Sequence, residues 1–342
     1  MQLDRKFSLK REFLRKRTLL SFALSFLLVS LFLSQTTLAD ILRSFQNADP
    51  LFLVLAFLSH YLSYVVRGNR WKWMIRQTGF SGGSIDLAKI IFLFQSVDCV
   101  LPAKLGDLYG AHLMKINHSL SRSFSLGSIF LWRIMDLVVT MVIIVLLAFT
   151  LFGSKIPPEI VMALKVATPC LLLLLAVIAI FFHSHKWLLA RLKSERIKGV
   201  IDSFQQGLRL NWEMVPFLLV STTVIWFLEA GRFYFICRSM AIDIPIVPVL
   251  FISTSSALLT AVPFTPSGLG AVELGMVGLL AFVGIEGPLA YPIIIWDRLI
   301  AHWSQLFFGI LLIFFSKAAH LKVWQLEEEG IPSAKKGVPL TL

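Results

Sequence analysis

Apolar runs of roughly 20 residues recur along this chain with the charges gathered between them, the pattern of helices long enough to cross a bilayer. Only 15% of the residues are charged and 57% are apolar, with a mean hydropathy of +0.78. A soluble domain carries about 25% charged residues. A transmembrane barrel would show alternating segments of about ten residues, and none is present. The expected class is therefore an all-α polytopic integral membrane protein. Complete spans are read at 19–38, 50–66, 126–152, 161–182, 216–236 and 289–315.

The formal net charge of +12 points to topology before it points to nucleic acid, because the basic residues flank the apolar runs. Residues 1–18 hold Arg5, Lys6, Lys10, Arg11, Arg15, Lys16 and Arg17, an expected cytoplasmic N-terminus. A retained first span is favoured over a cleaved signal peptide, because the apolar run continues to Leu38 and Thr-Leu-Ala39 is a poor cleavage site. The basic, partly apolar stretch 183–215 reads as an amphipathic helix along the same face. Both termini then lie in the cytoplasm. Trp71, Trp73, Trp187 and Trp212 read as headgroup-level anchors. Cys99, Cys170 and Cys237 lack metal or redox spacing and read as packing residues. No metal or cofactor is expected.

Two segments do not fit the span pattern. Residues 85–122 and 246–285 each divide into two short arms around a proline/glycine break, Pro102-Ala-Lys-Leu-Gly-Asp107 in one and Pro263-Phe-Thr-Pro-Ser-Gly-Leu-Gly-Ala-Val-Glu273 in the other. An arm of about 15 residues reaches some 22 Å as a helix, short of a hydrocarbon core near 30 Å. Both are read as re-entrant hairpins with tips at Pro102 and Gly106, and at Pro263 and Pro266. The count is then six full spans plus two hairpins, about eight membrane helices by ordinary counting.

The two halves also repeat. Arg70 and Arg232 are 162 residues apart, Pro102 and Pro263 161, Gly106 and Gly270 164, and Arg133 and Arg298 165. An odd number of spans precedes the second half, so its direction inverts, as in the inverted repeats that build alternating-access transporters. The expected organisation is a basic terminus at 1–18, repeats at 19–152 and 153–318, and a polar tail at 319–342.

Intramembrane charges cost roughly 2.5–3.5 kcal/mol each on insertion scales and need a reason. Arg133 with Asp136, and Glu229 with Arg232, are spaced i, i+3 and can pair on one helix face; Asp297 adjoins Arg298. One reading is internal pairing that ties helices together. The other is a polar cavity in which Arg133 and Arg298 grip a phosphate bidentately, helped by backbone amides at the Gly268–Gly270 helix start. Candidate cavity residues are Arg70, Lys104, Asp107, Arg133, Asp136, Glu229, Arg232, Gly268, Gly270, Glu273, Asp297, Arg298 and His302. Asp107 and Glu273 either meet a cationic headgroup or set the arginine orientation. No nucleotide loop, zinc-protease helix or nucleophile elbow is present, and no catalytic residues are assigned.

Leu-Pro102-Ala-Lys-Leu-Gly-Asp107, Leu-Trp-Arg133-Ile-Met-Asp136 and Pro266-Ser-Gly-Leu-Gly-Ala-Val-Glu273 resemble three signatures of the lysylphosphatidylglycerol synthase transmembrane, or flippase-like, family of prokaryotic membrane proteins, over residues 15–318. The resemblance implies a membrane domain that moves a lipid between leaflets. The best-known members attach it to a soluble aminoacyl-transferase domain. Residues after Lys317 are too few for one, so a stand-alone domain in a prokaryotic cell membrane is expected. The family usually has a glutamate at the place of Asp107, an arginine at that of Gly110 and often an acidic residue at that of Trp132. These departures suggest that the first half handles a different headgroup or none. The alternatives to a lipid transporter are a membrane-embedded lipid- or glycolipid-modifying enzyme and an accessory subunit of an envelope-lipid pathway. Expected partners are a membrane lipid, a biosynthetic enzyme or a second copy of the chain, and not nucleic acid.

Overall fold

The computed structural model describes residues 16–101, 104–260, 265–316 and 320–323. Pro102 and Pro263, one proline from each expected tip, lie outside the described residues, as do most of the basic terminus and of the polar tail. The described residues form helices and no strands: α1 (Lys16–Leu33), α2 (Leu38–Asn47), α3 (Pro50–Ile75), α4 (Ser84–Asp98), α5 (Gly106–His118), α6 (Arg122–Phe152), α7 (Pro158–Arg191), α8 (Glu195–Leu208), α9 (Val215–Ser239), α10 (Ile246–Thr260), α11 (Ala271–Ala281), α12 (Ala290–Arg298) and α13 (Ser304–Phe314). A π-turn at Leu299–Trp303 joins the last two.

Among the described residues, five stretches are long and apolar enough to cross a membrane: 50–78, 122–152, 158–184, 212–239 and 290–314. The sixth expected span is α1, whose 18 residues reach about 27 Å. It stops at Leu33, not Leu38. Beyond it Ser34 Oγ donates to Leu31 O at 2.8 Å, the side-chain competition that ends helices. The chain then turns into the short amphipathic α2. The second span also differs from expectation. α3 runs on through Arg67 and Arg70 to Ile75, because both arginines find buried partners inside the protein instead of leaving toward headgroups. Trp71 is likewise no anchor: it is fully buried and donates Nε1–H to Ser128 Oγ at 3.0 Å. Trp73, Trp187 and Trp212 are exposed.

α3 and α9 pack antiparallel at the centre. Asp49 N–H donates to Ser239 O (2.8 Å) at one end, Ser59 Oγ to Leu228 O (2.7 Å) midway, and Arg70 to Thr222 Oγ1 (2.7 Å) toward the other. The hairpin α4–α5 opens at the Arg70 end, where Ser84 Oγ donates to Asn69 Oδ1. The hairpin α10–α11 opens at the opposite end, where Phe251 packs against Phe152 at the close of α6. The tips meet inside: Ser267 Oγ donates to Asp98 O at 3.2 Å. Two large apolar cores form, one around Trp71, Phe94 and Trp132 and the other around Phe233, Ile252, Val272 and Ile293, and each draws on both halves: Met214 and Leu218 join the first, Phe32 and Ala56 the second. The two helix pairs thus open at opposite ends and meet at their tips.

The 183–215 stretch holds the end of α7 and then α8, which lies along the start of α6 with backbone touching backbone. A Cβ at Gly127 would strike Phe204 O, and one at Gly207 would strike Phe124 O. Gly207→Val should destabilise that contact by about 1–3 kcal/mol through overpacking. Faster hydrogen exchange across residues 195–208 would register this. Gly199→Val, where a Cβ meets nothing within 4 Å, should leave exchange unchanged.

Candidate functional site

The repeat places two sets of ion pairs at equivalent positions. Arg70 on α3 clasps Asp136 on α6, with Nη1 to Oδ1 at 2.5 Å and Nη2 to Oδ2 at 3.2 Å. Its counterpart Arg232 on α9 clasps Asp297 on α12, with Nε and Nη2 at 3.0 and 2.9 Å from Oδ1. The pairs span 66 and 65 residues of sequence. Closer to the tips, Arg133 holds Asp107 in a fork, at 2.7 Å from Nε and 2.5 Å from Nη2, and reaches Asp98 at 3.1 Å. Arg298 lies 3.3 Å from Glu273 through Nε, which is not aligned to donate a hydrogen bond there. It is the arginine least committed to a carboxylate.

This corrects the pairing read from spacing. Arg133 and Asp136 are one helical turn apart, yet each binds a partner on another element, because forked arginine–carboxylate geometry outcompetes a single contact along one helix. Glu229 and Arg232 do pair as expected, and Glu229 also accepts from Ser63 Oγ (2.9 Å) and Arg67 (3.0 Å). Asp297 and Arg298, adjacent in sequence, serve separate networks.

At the tips a carboxylate folds back onto a freed amide. Asp98 accepts from Gly106 N–H at 2.8 Å, and Glu273 accepts from Gly270 N–H at 2.6 Å. The Gly270 amide expected to receive a substrate anion is therefore already satisfied by Glu273, and Gly268 N–H is satisfied by Thr265 O. Asp107 and Glu273 each face an arginine, Arg133 and Arg298 respectively. Each tip also holds a non-glycine residue in the left-handed region, Lys104 at φ 56° and Ser267 at φ 46°. Such backbone costs about 1–3 kcal/mol and gathers at functional places.

Lys104 and Ser267 border the same space, a cavity of about 370 Å³ between the halves. Of the residues expected there, Lys104, Arg133, Asp136, Glu229, Arg232, Asp297, Arg298 and His302 line it. Arg70, Asp107 and Glu273 stand behind the lining, bonded to residues of the wall, while Gly106, Pro266, Gly268 and Gly270 shape the tips without lining the cavity. His60, Arg67 and Asp98 also line it and were not among the candidate cavity residues read from the sequence, although His60 stood out there as intramembrane. Arg67 sits one turn before Arg70, and Asp98 immediately precedes the first break, so both carried a signal in their position. The π-turn inserts beside Arg298, a device frequent at functional sites. Phe130, Leu137, Leu174 and Leu258 add apolar side chains to the same lining. Among the described residues, no three His, Cys, Asp or Glu side chains are grouped to hold a metal ion.

Residues 18–309 match the family model of the lysylphosphatidylglycerol synthase TM region. A UPF0104 membrane protein of Methanocaldococcus jannaschii is 31% identical over 227 residues, covering 66% of this chain and 96% of its own length. One of Pyrococcus horikoshii is 22% identical over 80% of this chain and 89% of its own. The glycosyltransferase AglD of Haloferax volcanii is 23% identical over 74% of this chain but only 46% of its own length. The doubled ion pairs and meeting hairpins are thus the architecture of a multi-pass membrane protein that belongs to the lysylphosphatidylglycerol synthase transmembrane-region family.

Proposed function

We propose that the chain moves a lipid with a polar, phosphate-bearing headgroup between leaflets, the headgroup crossing through the central cavity. The observation that carries this is the composition of the cavity wall. Arg67, Lys104, Arg133, Arg232 and Arg298 share one lining with Phe130, Leu137, Leu174 and Leu258, so a phosphate and an acyl chain each find matching side chains. The meeting tips support re-entrant hairpins, because broken backbone at membrane depth is tolerated only where protein or a wet cavity satisfies it. Passage requires the tips to part on alternate sides as the inverted halves rock. The basic segments beside the apolar runs favour termini in the cytoplasm, and relatives from Methanocaldococcus jannaschii and Pyrococcus horikoshii support a prokaryotic cell membrane.

The match to about half of a protein named as a glycosyltransferase favours a second reading, an accessory role beside glycosyl transfer to lipid. A biosynthetic enzyme that co-purifies with the chain, with no lipid movement by the chain alone, would select it.

The first reading is tested in proteoliposomes carrying fluorescent phosphatidylglycerol, with dithionite reduction reporting the leaflet. Wild type should accelerate exchange well above protein-free vesicles, and Arg298→Gln should lower the rate by at least about tenfold, as loss of a charge-assisted contact of 1.5–3 kcal/mol requires. Exchange at the protein-free rate for wild type with anionic and glycosylated lipids alike would overturn the reading.

A further inference from the structure

We propose that the cavity takes up a monoanionic phosphate headgroup together with one proton, and that His60 holds the proton. This rests on the lipid-transport reading and names its substrate class and its coupling. The cavity wall and the partners directly behind it carry six cations, Arg67, Arg70, Lys104, Arg133, Arg232 and Arg298. They also carry six carboxylates, Asp98, Asp107, Asp136, Glu229, Glu273 and Asp297. With the histidines neutral the site is charge-balanced. A phosphodiester then enters as an uncompensated negative charge away from water, which is costly unless something offsets it. A proton offsets it.

His60 is the group placed to receive it. It is 4% exposed, lies on α3 at the seam between the halves, and lines the cavity. Its Nδ1 is 3.1 Å from Arg232 Nη1 and 3.3 Å from Glu229 Oε2, both on α9, so a guanidinium donor and a carboxylate acceptor compete for one nitrogen. Its Nε2 is buried without a hydrogen-bond partner among the described residues. On its own helix Arg67 reaches the same Glu229, and Tyr61 and Tyr64 meet the ring edge-on. From α12, Asp297 draws on Arg232. In the neutral ring Nδ1 accepts from Arg232. In the protonated ring Nδ1–H donates to Glu229, and Nε2–H is left for a headgroup oxygen. His302, the other cavity histidine, stands one turn after Arg298 and has no carboxylate within ion-pair distance among the described residues. Asp98 is already committed through both oxygens, to Gly106 N–H and to Arg133.

The test is calorimetric titration of the full chain in detergent with short-chain phosphatidylglycerol and with phosphatidylcholine, in buffers of different ionisation enthalpy at one pH. Wild type should take up about one proton per phosphatidylglycerol bound. Any binding of the zwitterionic lipid should take up none. His60→Gln should lose the proton uptake and bind phosphatidylglycerol on the order of tenfold more weakly, whereas His302→Gln should keep the uptake. The wild-type stoichiometry stands as a test even where a variant folds poorly. Phosphatidylglycerol binding without proton uptake, or uptake that survives in His60→Gln, overturns the proposal while leaving the transport reading in place. Failure of both lipids to bind removes both.

Discussion

Arg232→Ala is expected to destabilise the protein by about 3–5 kcal/mol, the cost of leaving buried charges without their partner. Arg232 is 7% exposed and binds Glu229 on its own helix, Asp297 on α12 and His60 on α3. One guanidinium therefore fastens the last span and both central helices. Its loss strands Asp297, which is 2% exposed and has no other cation within ion-pair distance among the described residues. Glu229 fares better, because Arg67 and Ser63 still reach it. Arg232→Met combined with Asp297→Met should recover most of the loss, since an apolar pair of similar volume has no charge to desolvate. Denaturant unfolding in detergent micelles measures both variants. A single substitution that costs under 1 kcal/mol would show the networks to be ornamental to the fold. The same argument applies to Arg70, whose fork to Asp136 is the counterpart in the first half.

The repeat was legible because membrane insertion makes charges and helix breakers rare, so the few present fall at places the architecture needs. Offsets of 161 to 165 residues located Arg70 with Arg232, Arg133 with Arg298, and the paired tips, before any geometry was known. The identity of each partner was less legible. A spacing of i, i+3 says that Arg133 and Asp136 can meet; it does not say that Arg70 and Asp107 approach from other elements with better forks. Nor does a glycine-rich helix start say whether its amide waits for a ligand. Glu273 sits three residues beyond Gly270, the spacing that lets a carboxylate return to the amide, and that signal favoured capping over anion binding. Trp71 was misplaced for a related reason. Tryptophan beside basic residues marks an interface on average, but Arg67 and Arg70 are drawn inside by Glu229 and Asp136, and Trp71 goes in with them.

In the proposed transport cycle the two tips, which meet in this structure, must separate for a headgroup to pass. Ser267, at the second tip, donates to the carbonyl of Asp98, the residue just before the native Cys99. Ser267→Cys should thus place two thiols close enough for the Cα separation a disulfide tolerates. In a Cys170→Ser background, which removes the exposed cysteine, mild oxidation should link the tips. The most direct measurement is the rate of phosphatidylglycerol exchange in proteoliposomes before oxidation, after it, and after reduction. The linked protein should fall to the protein-free rate, and reduction should restore exchange. Quantitative cross-linking with exchange undiminished, or no cross-link at all, would contradict that cycle.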